Sequence, residues 1–225
     1  MEKYIKALTA LNNVALKSNP DELDRFAESD VHWANNKNKT IPTRKVKKGN
    51  IYQFELGKNY MPEMSYEHRG LVIGVSGKLL YVLPIFSFDP NNAKHLNAYH
   101  QQDNPNRKAD LFLMKASEFG FLKHDSVLKL NDIRTVSFLR IKYKQSNGFL
   151  DPKSTAYQTI IQLVFEKYFY NFAYNLDALQ KQCDSLVEEL KETKDLLNTR
   201  TKEYESLKAE LLANDQNGSI SEVAK

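Results

Sequence analysis

Reactive and charged side chains lie together at residues 66–69, directly before an apolar run at residues 71–75. They are Tyr66, Glu67, His68 and Arg69. A second apolar run, at residues 79–85, follows a Ser-Gly pair and leads to the hydroxyl of Ser87. This pattern predicts a polar loop followed by two strands that a hairpin turn joins. Polar groups at the ends of buried strands are typical of a site on a rigid scaffold, although ordinary loop residues give the same pattern.

The composition is that of a protein with a hydrophobic core and no membrane span. The chain has 225 residues, of which 41% are hydrophobic and 27% charged, enough for one large domain or two small ones. No apolar run reaches about 18 residues, and the N-terminus lacks the apolar segment of a secretory signal. Cys183 is the single cysteine, so no internal disulfide can form. We therefore expect a cytoplasmic protein with no membrane partner.

Charge is spread unevenly along the sequence. Residues 41–150 hold 17 Lys and Arg against 9 Asp and Glu, whereas residues 175–212 hold 6 against 9. A basic middle segment suggests a polyanionic partner such as RNA, but a solvated lysine surface accounts for it equally well. Residues 35–48 are polar and lysine-rich, which predicts a linker. Its cluster of Arg44, Lys45, Lys47 and Lys48 could contact phosphate or act as a solubilising hinge.

The remaining patterns predict an α+β protein with a mainly β core and helical flanks. Two helices are expected within residues 1–34, the second capped by Asn19 with Pro20 in its first turn. Residues 49–57 alternate as a half-buried strand with one apolar face, and residues 88–108 form a long loop. Further strands are predicted at residues 111–114, 126–130 and 133–141. Short strands with turn signals favour a small barrel or sandwich.

A C-terminal helix and coiled coil should follow the strands. Asp151 and Pro152 predict a helix start, and the apolar residues after them predict packing on the strands or on a partner. An uninterrupted heptad seam then comprises Leu176, Leu179, Cys183, Leu186, Leu190, Thr193, Leu197, Arg200, Tyr204, Leu207 and Leu211. Pairs of opposite charge at g and e positions favour a parallel homodimer. The alternative is a long helix that folds back on the N-terminal helices. We predict a helical extension and linker at residues 1–40, the β region at 41–150, the C-terminal helix and coiled coil at 151–212, and a flexible tail at 213–225.

Motifs for metal or nucleotide binding are missing from the sequence. It contains no glycine-rich phosphate loop, no cysteine and histidine cluster and no Gly-x-Ser-x-Gly motif, so no metal or cofactor is expected. The five histidines are scattered. His68, His95 and His100 would meet only if the long loop folded over Arg69.

Four segments in order resemble the MazF/PemK (Kid) family of toxins. They are GNIYQFELG, EHRGLVIGV, YVLPIFS and HDSVLKLNDIRTVSFLRI. The last is the most specific, because it keeps the spacing of the family's "SVxLxDQIRTIDKxRL"-like ending. The resemblance covers roughly residues 48–142 and excludes the helical flanks. It implies an SH3-like barrel that dimerises, and an endoribonuclease that cleaves single-stranded RNA without metal and is inhibited by a cognate antitoxin protein.

The resemblance also suggests site residues. The family's catalytic Arg matches Arg69, its Thr falls on Phe86, and the following Ser matches Ser87. In such chemistry the RNA 2′-hydroxyl attacks the adjacent phosphorus, a guanidinium stabilises the developing charge, and an acid or base moves protons. His68 is our first candidate for that acid or base and Glu67 the second. Candidate RNA-binding residues are Phe86, Lys58, Tyr66, His95, His100 and Lys48.

Two departures from the family pattern leave a second hypothesis open. The family's Arg-Pro pair becomes Arg69-Gly70, and Phe86 removes the Thr hydroxyl. Phe86 could stack on a base, or it could be a core residue of a degenerate site. The leading hypothesis is a MazF-like ribonuclease toxin that dimerises through barrel and coiled coil. The alternative is a catalytically inactive barrel that binds RNA or protein and is assembled by the coiled coil.

Overall fold

The computed structural model describes residues 1–40 and 46–221, with residues 213–221 as helix backbone only. The chain is α+β, as predicted, and divides into two units, Met1–Tyr168 and Phe169–Lys225. Within the described residues, the first unit contains a seven-stranded antiparallel sheet and four helices, and the second contains one long helix. The predicted contacts of Arg44 and Lys45 lie outside the described residues.

The two N-terminal helices form where the sequence predicts them. They are α1 (Glu2–Ala15) and α2 (Pro20–Asn36), and the Asn19 side chain caps α2 by accepting the Glu22 N–H at 2.9 Å. No side chain of α1 is buried, whereas α2 buries Ser29. The Ser29 hydroxyl donates to the Glu55 carboxylate at 2.9 Å, which ties α2 to the sheet.

The strands pair in the order β4-β5-β3-β2-β1-β7, and β6 pairs with β3. Their bounds are β1 (Asn50–Glu55), β2 (Glu67–Ser76), β3 (Leu79–Ser87), β4 (Leu111–Met114), β5 (Ser126–Lys129), β6 (Arg134–Ser137) and β7 (Ile141–Phe149). The β2–β3 hairpin and the strands β4 and β5 confirm the predictions. A short helix, α3 (Ala93–Leu96), lies within the predicted long loop.

Three strand predictions need correction. Residues 67–69 belong to β2 and not to a loop, so Glu67, His68 and Arg69 alternate across the sheet. β1 is buried on both faces, because Glu55 opposite the apolar side is also buried, at 4% exposure. The predicted strand at 133–141 is β6 followed by a 3₁₀ segment at Phe138–Arg140.

Strand β7 was missed because its residues lack the apolar alternation of a typical strand. Its sequence, IKYKQSNGF, is largely polar, and among the described strands β7 is an edge strand that pairs only with β1. Two irregularities interrupt the pairing, one of them between Gln53 and Phe54 of β1. An edge strand can stay polar because solvent satisfies one side of it.

Hydrophobic residues form separate clusters on the two faces of the central strands. One cluster contains Ile51, Leu71 and Ile85, and the other contains Phe54, Val72 and Val82. Helix α4 (Thr155–Tyr168) packs on the first cluster through Tyr157, Ile160, Leu163 and Val164. The prediction that this helix packs on the strands is confirmed.

The start of α4 differs from the prediction. The helix begins at Thr155, where the Ser154 hydroxyl accepts the Tyr157 N–H at 3.3 Å. Asp151 instead shapes the turn before it, because its side chain accepts the Lys153 N–H at 2.9 Å. Helix α4 belongs to the first of the two units, which ends at Tyr168.

The second unit is the helix α5 (Tyr170–Ser221). It includes the whole predicted heptad seam and continues past residue 213, where a flexible tail was predicted. Residues 222–225 of that tail lie outside the described residues. None of the helices in the described part of the chain combines the length and the apolar character that a membrane span requires.

Replacing Gly70, the glycine after Arg69, should lower the stability of the fold. A Cβ at Gly70 would lie 2.3 Å from Val82 Cγ1 and 3.0 Å from Phe54 Cδ2, so neither alanine nor the family's proline fits this packing. We expect Gly70→Ala to lower the free energy of unfolding by about 1–3 kcal/mol, as overpacking does. Urea denaturation measures this. Gly120→Ala is the control, since a Cβ there meets nothing within 4 Å, and an equal loss in both variants would contradict the packing argument.

Candidate active site

Arg69 lies in the middle of the sheet, on the same face as the cluster that α4 covers. Its Cα pairs with Gln53 on β1 and Ile85 on β3. The half-buried guanidinium extends across β3, where Nη2 donates to the Ser126 hydroxyl on β5 at 3.1 Å. Burial lowers the pKa of Arg69, but a guanidinium stays protonated at any physiological pH.

Arg69 has no carboxylate partner among residues 1–40 and 46–212. Its hydrogen bond to Ser126 uses one N–H, and the guanidinium has five. A buried cation usually pairs with an anion, and here a hydroxyl stands in that position. The remaining donors are therefore free to bind an anion from solution.

A serine and a histidine lie beside this guanidinium. Ser87 ends β3 and pairs with Ser126 on β5. The Ser87 hydroxyl lies 2.9 Å from Nε2 of His124, and both side chains are exposed. Ser126 completes the connection, because its hydroxyl also donates to the His124 carbonyl at 3.2 Å. The half-buried guanidinium is thus linked through Ser126 to the main chain of His124, whose exposed imidazole contacts Ser87.

We give the name Arg69 cluster to Arg69, Ser87, His124 and Ser126. The sequence pointed to Arg69 and Ser87 but missed the other two. Both missed residues, His124 and Ser126, lie at the start of the segment with the most specific family resemblance, HDSVLKL. Their position in that segment is the sequence feature that could have identified them. Their proximity to Arg69 depends on the pairing of β3 with β5, which sequence spacing does not reveal.

Glu67 lies on the same face as Arg69, two residues earlier in β2. Its carboxylate forms an ion pair with Lys142, and the Tyr143 hydroxyl donates to it at 3.5 Å. The Glu67 side chain raises the pKa of Lys142 above its ordinary value, although burial opposes this. Glu67 thus lies on the same face as Arg69, and its carboxylate is paired with Lys142.

His68 lies on the other face of the sheet from Arg69. It pairs with Phe54, which belongs to the second hydrophobic cluster. Burial lowers the pKa of His68 below its ordinary value, and the charge of Arg25 acts in the same direction. The structure therefore does not bring His68 to the Arg69 guanidinium, because neighbouring residues of a strand point to opposite faces.

The other predicted histidines have structural partners. His95 is buried against the ring of Phe86, with centroids 5.2 Å apart, and its Nδ1 accepts the Asp89 N–H at 2.9 Å. His100 is 4% exposed and lies between two carboxylates, 3.0 Å from Glu118 and 3.2 Å from Asp103. Neither joins the Arg69 cluster.

Phe86 is half-buried on the face opposite Arg69 and Ser87. It packs with Phe88 and Leu113 against a third small cluster of buried residues. The ring thus packs on the face of the sheet away from the Arg69 guanidinium.

The predicted RNA-binding residues Lys58 and Tyr66 lie near α2. Lys58 Nζ is 2.5 Å from Asp30 and 3.6 Å from the centroid of the Phe26 ring. Tyr66 has a positive φ of 64° and joins the strand ends through backbone bonds with Leu56 and Gly57. Burial raises the pKa of its hydroxyl. Lys48 is exposed in the turn before β1.

The segment with the closest family resemblance supports the entry to β2. The buried Asp132 accepts the Met64 N–H at 2.9 Å, and Arg134 Nε lies 2.6 Å from the same carboxylate. Arg134 also donates to the Met64 carbonyl at 3.3 Å. This pair fixes the chain just before Glu67 and so helps to position Arg69.

No protein-family model matches the chain, and no curated protein matches it.

Proposed function

We propose that the first unit is an SH3-like barrel of the MazF/PemK type. The pairing of β3 supports this, because one long strand serves two partners on the same edge. Residues 79–82 of β3 pair with β6, and residues 85–87 pair with β5. In small barrels, the sheet bends where a strand changes its pairing partner along its length.

We further propose that this chain cleaves single-stranded RNA without a metal ion. The observation that carries the proposal is the Arg69 cluster. Its cation has no carboxylate partner among the described side chains and donates to Ser126, and Ser126 pairs across the strands with Ser87, which contacts an exposed imidazole. A phosphodiester is the anion that such a group binds most directionally, through forked N–H donors. The imidazole in contact with Ser87 supplies a group that can accept or donate a proton.

The proposed reaction assigns roles to Arg69, Ser87 and His124. Arg69 donates to a non-bridging phosphate oxygen, and Ser87 holds a second oxygen and orients His124. The imidazole takes the proton of the 2′-hydroxyl as that oxygen bonds to phosphorus. The bond to the 5′-oxygen then breaks, that oxygen takes a proton from water, and the hydroxide left behind takes the proton from the imidazolium. The products are a 2′,3′-cyclic phosphate and a 5′-hydroxyl end. His124 replaces His68 in this scheme.

The resemblance also leads us to propose a cognate antitoxin protein as inhibitor. The second candidate function is an inactive barrel that binds RNA or protein. Phe86 favours that candidate, because it fills the family's threonine position with a packed ring. The two candidates differ in whether expression of the chain arrests growth.

The test is incubation of the purified protein with a long single-stranded RNA in EDTA. We expect discrete fragments, and we expect induction of the chain in a bacterial host to stop growth. RNA that stays intact at high protein concentration, together with normal growth, would reject cleavage. Retained RNA binding in that case would support the inactive barrel.

A further inference from the structure

The heptad seam of α5 is exposed along its whole length. Leu176, Leu179, Leu186 and Leu190 are 57–65% exposed, and Leu197, Tyr204, Leu207 and Leu211 are 60–67% exposed. The seam extends back to Phe172, which lies four residues before Leu176 and is 70% exposed. From Phe172 to Leu211 the apolar stripe is roughly 59 Å long, and a coiled coil covers such a stripe.

Charges beside the seam specify a parallel partner. In a parallel, in-register pair, the g residue of one helix faces the e residue five positions later on its partner. Glu189 then meets Lys194, and Glu203 meets Lys208, twice each by symmetry. Glu189, Lys194 and Lys208 have no ion-pair partner among the described side chains, so these charges are available to a second helix.

An antiparallel pair of full overlap matches the charges less well. Aligning a with d positions sets Cys183 against Arg200 and Leu190 against Thr193. In this alignment, g residues of one helix face g residues of the other, so Glu189 faces Leu196. The e residues face e residues, so Val187 faces Lys194. No pair of opposite charge forms at these positions, so the charge pattern discriminates between the two orientations.

The polar residues of the seam favour two strands over three or four. Arg200 occupies a d position, and its guanidinium lies 2.9 Å from Glu203 three residues later on the same helix. In a two-stranded coil the side chain at this position can extend past the interface into solvent. Higher oligomers enclose core positions more completely and would bury the charge.

We propose that α5 forms a parallel, in-register, two-stranded coiled coil with a second copy of this chain. The proposal concerns assembly and does not depend on RNA cleavage. In this arrangement Cys183 of one copy faces Cys183 of the other at a core a position. In the antiparallel arrangement the two thiols are separated by 17 positions of the helix, or about 25 Å.

Oxidation of the full-length protein with diamide tests the orientation. We expect a covalent dimer on a non-reducing gel, and we expect none from Cys183→Ser. A Cys183→Ser/Arg200→Cys variant should also cross-link, because position 200 faces itself in the parallel pair. Cys183→Ser/Lys181→Cys is the matched control, since position 181 is on the outer face and should stay monomeric on the gel.

Two outcomes would overturn the proposal. An antiparallel coil would leave each single-cysteine variant uncross-linked, while Arg200→Cys in the presence of Cys183 would cross-link. A chain that sedimented as a monomer and formed no cross-link would show that the seam has another occupant.

A charge exchange provides a second measurement on the same proposal. Glu189→Lys should raise the dimer Kd about tenfold, and Glu189→Lys/Lys194→Glu should restore it. Sedimentation at several concentrations gives both values. An unchanged Kd in the single variant would remove the argument for orientation.

Discussion

Replacing Arg69 by alanine is expected to lower the rate of RNA cleavage roughly 10²- to 10³-fold. The guanidinium is the proposed group that stabilises charge on phosphate, and no other cation takes its place in the Arg69 cluster. Arg69→Lys should recover part of the rate, because lysine keeps the charge but not the forked donors. Cleavage of a labelled RNA under single-turnover conditions measures both variants.

Arg107→Ala is the matched control for Arg69. It removes the same charge from an exposed residue whose guanidinium pairs with Glu166 on α4. We expect the control to cleave at the rate of the unaltered protein. The proposal fails if Arg69→Ala, folded by circular dichroism, cuts the same sites at an undiminished rate.

Replacing His124 by alanine is the second change with a large expected effect, about 10²- to 10⁴-fold on cleavage. The residue is exposed and accessible to solvent, so its removal should leave the fold intact. RNA binding should change far less than cleavage, because Arg69 still holds the phosphate. Filter binding and single-turnover cleavage on the same RNA separate the two effects.

His68→Gln is the control that distinguishes the two histidines. His68 is the residue that sequence adjacency to Arg69 favours, and His124 is the one in contact with Ser87. We expect His68→Gln to retain cleavage, since its side chain lies on the opposite face of β2. A loss of activity in His68→Gln and not in His124→Ala would reverse the assignment.

His68 and His124 illustrate which features of the candidate site could be predicted from the sequence and which could not. Arg69 and Ser87 lie at the ends of apolar runs, and local patterns locate such positions. His68 does not lie beside the Arg69 guanidinium, because residues 67–69 form a strand, in which adjacent side chains point to opposite faces. His124 lies 55 residues from Arg69 along the chain, and only the β3–β5 pairing brings it near.

The helices were more predictable than the sheet, because local sequence patterns define helices whereas distant residues pair in the sheet. Asn19 and Pro20 define the start of α2 by local capping, and the heptad seam defines α5. Glu55 was expected on an exposed face, but α2 covers it with the Ser29 hydroxyl. That contact joins residues 26 positions apart, which periodicity within one strand does not report.

The most direct test of the central claim compares RNA with a chemically blocked copy. After the cleavage site is mapped in EDTA, the nucleotide that supplies the 2′-hydroxyl is replaced by its 2′-deoxy form. We predict that the unaltered RNA yields a 2′,3′-cyclic phosphate end and that the deoxy copy stays intact. Equal cleavage of both substrates would contradict attack by the 2′-hydroxyl and with it the function proposed for Arg69.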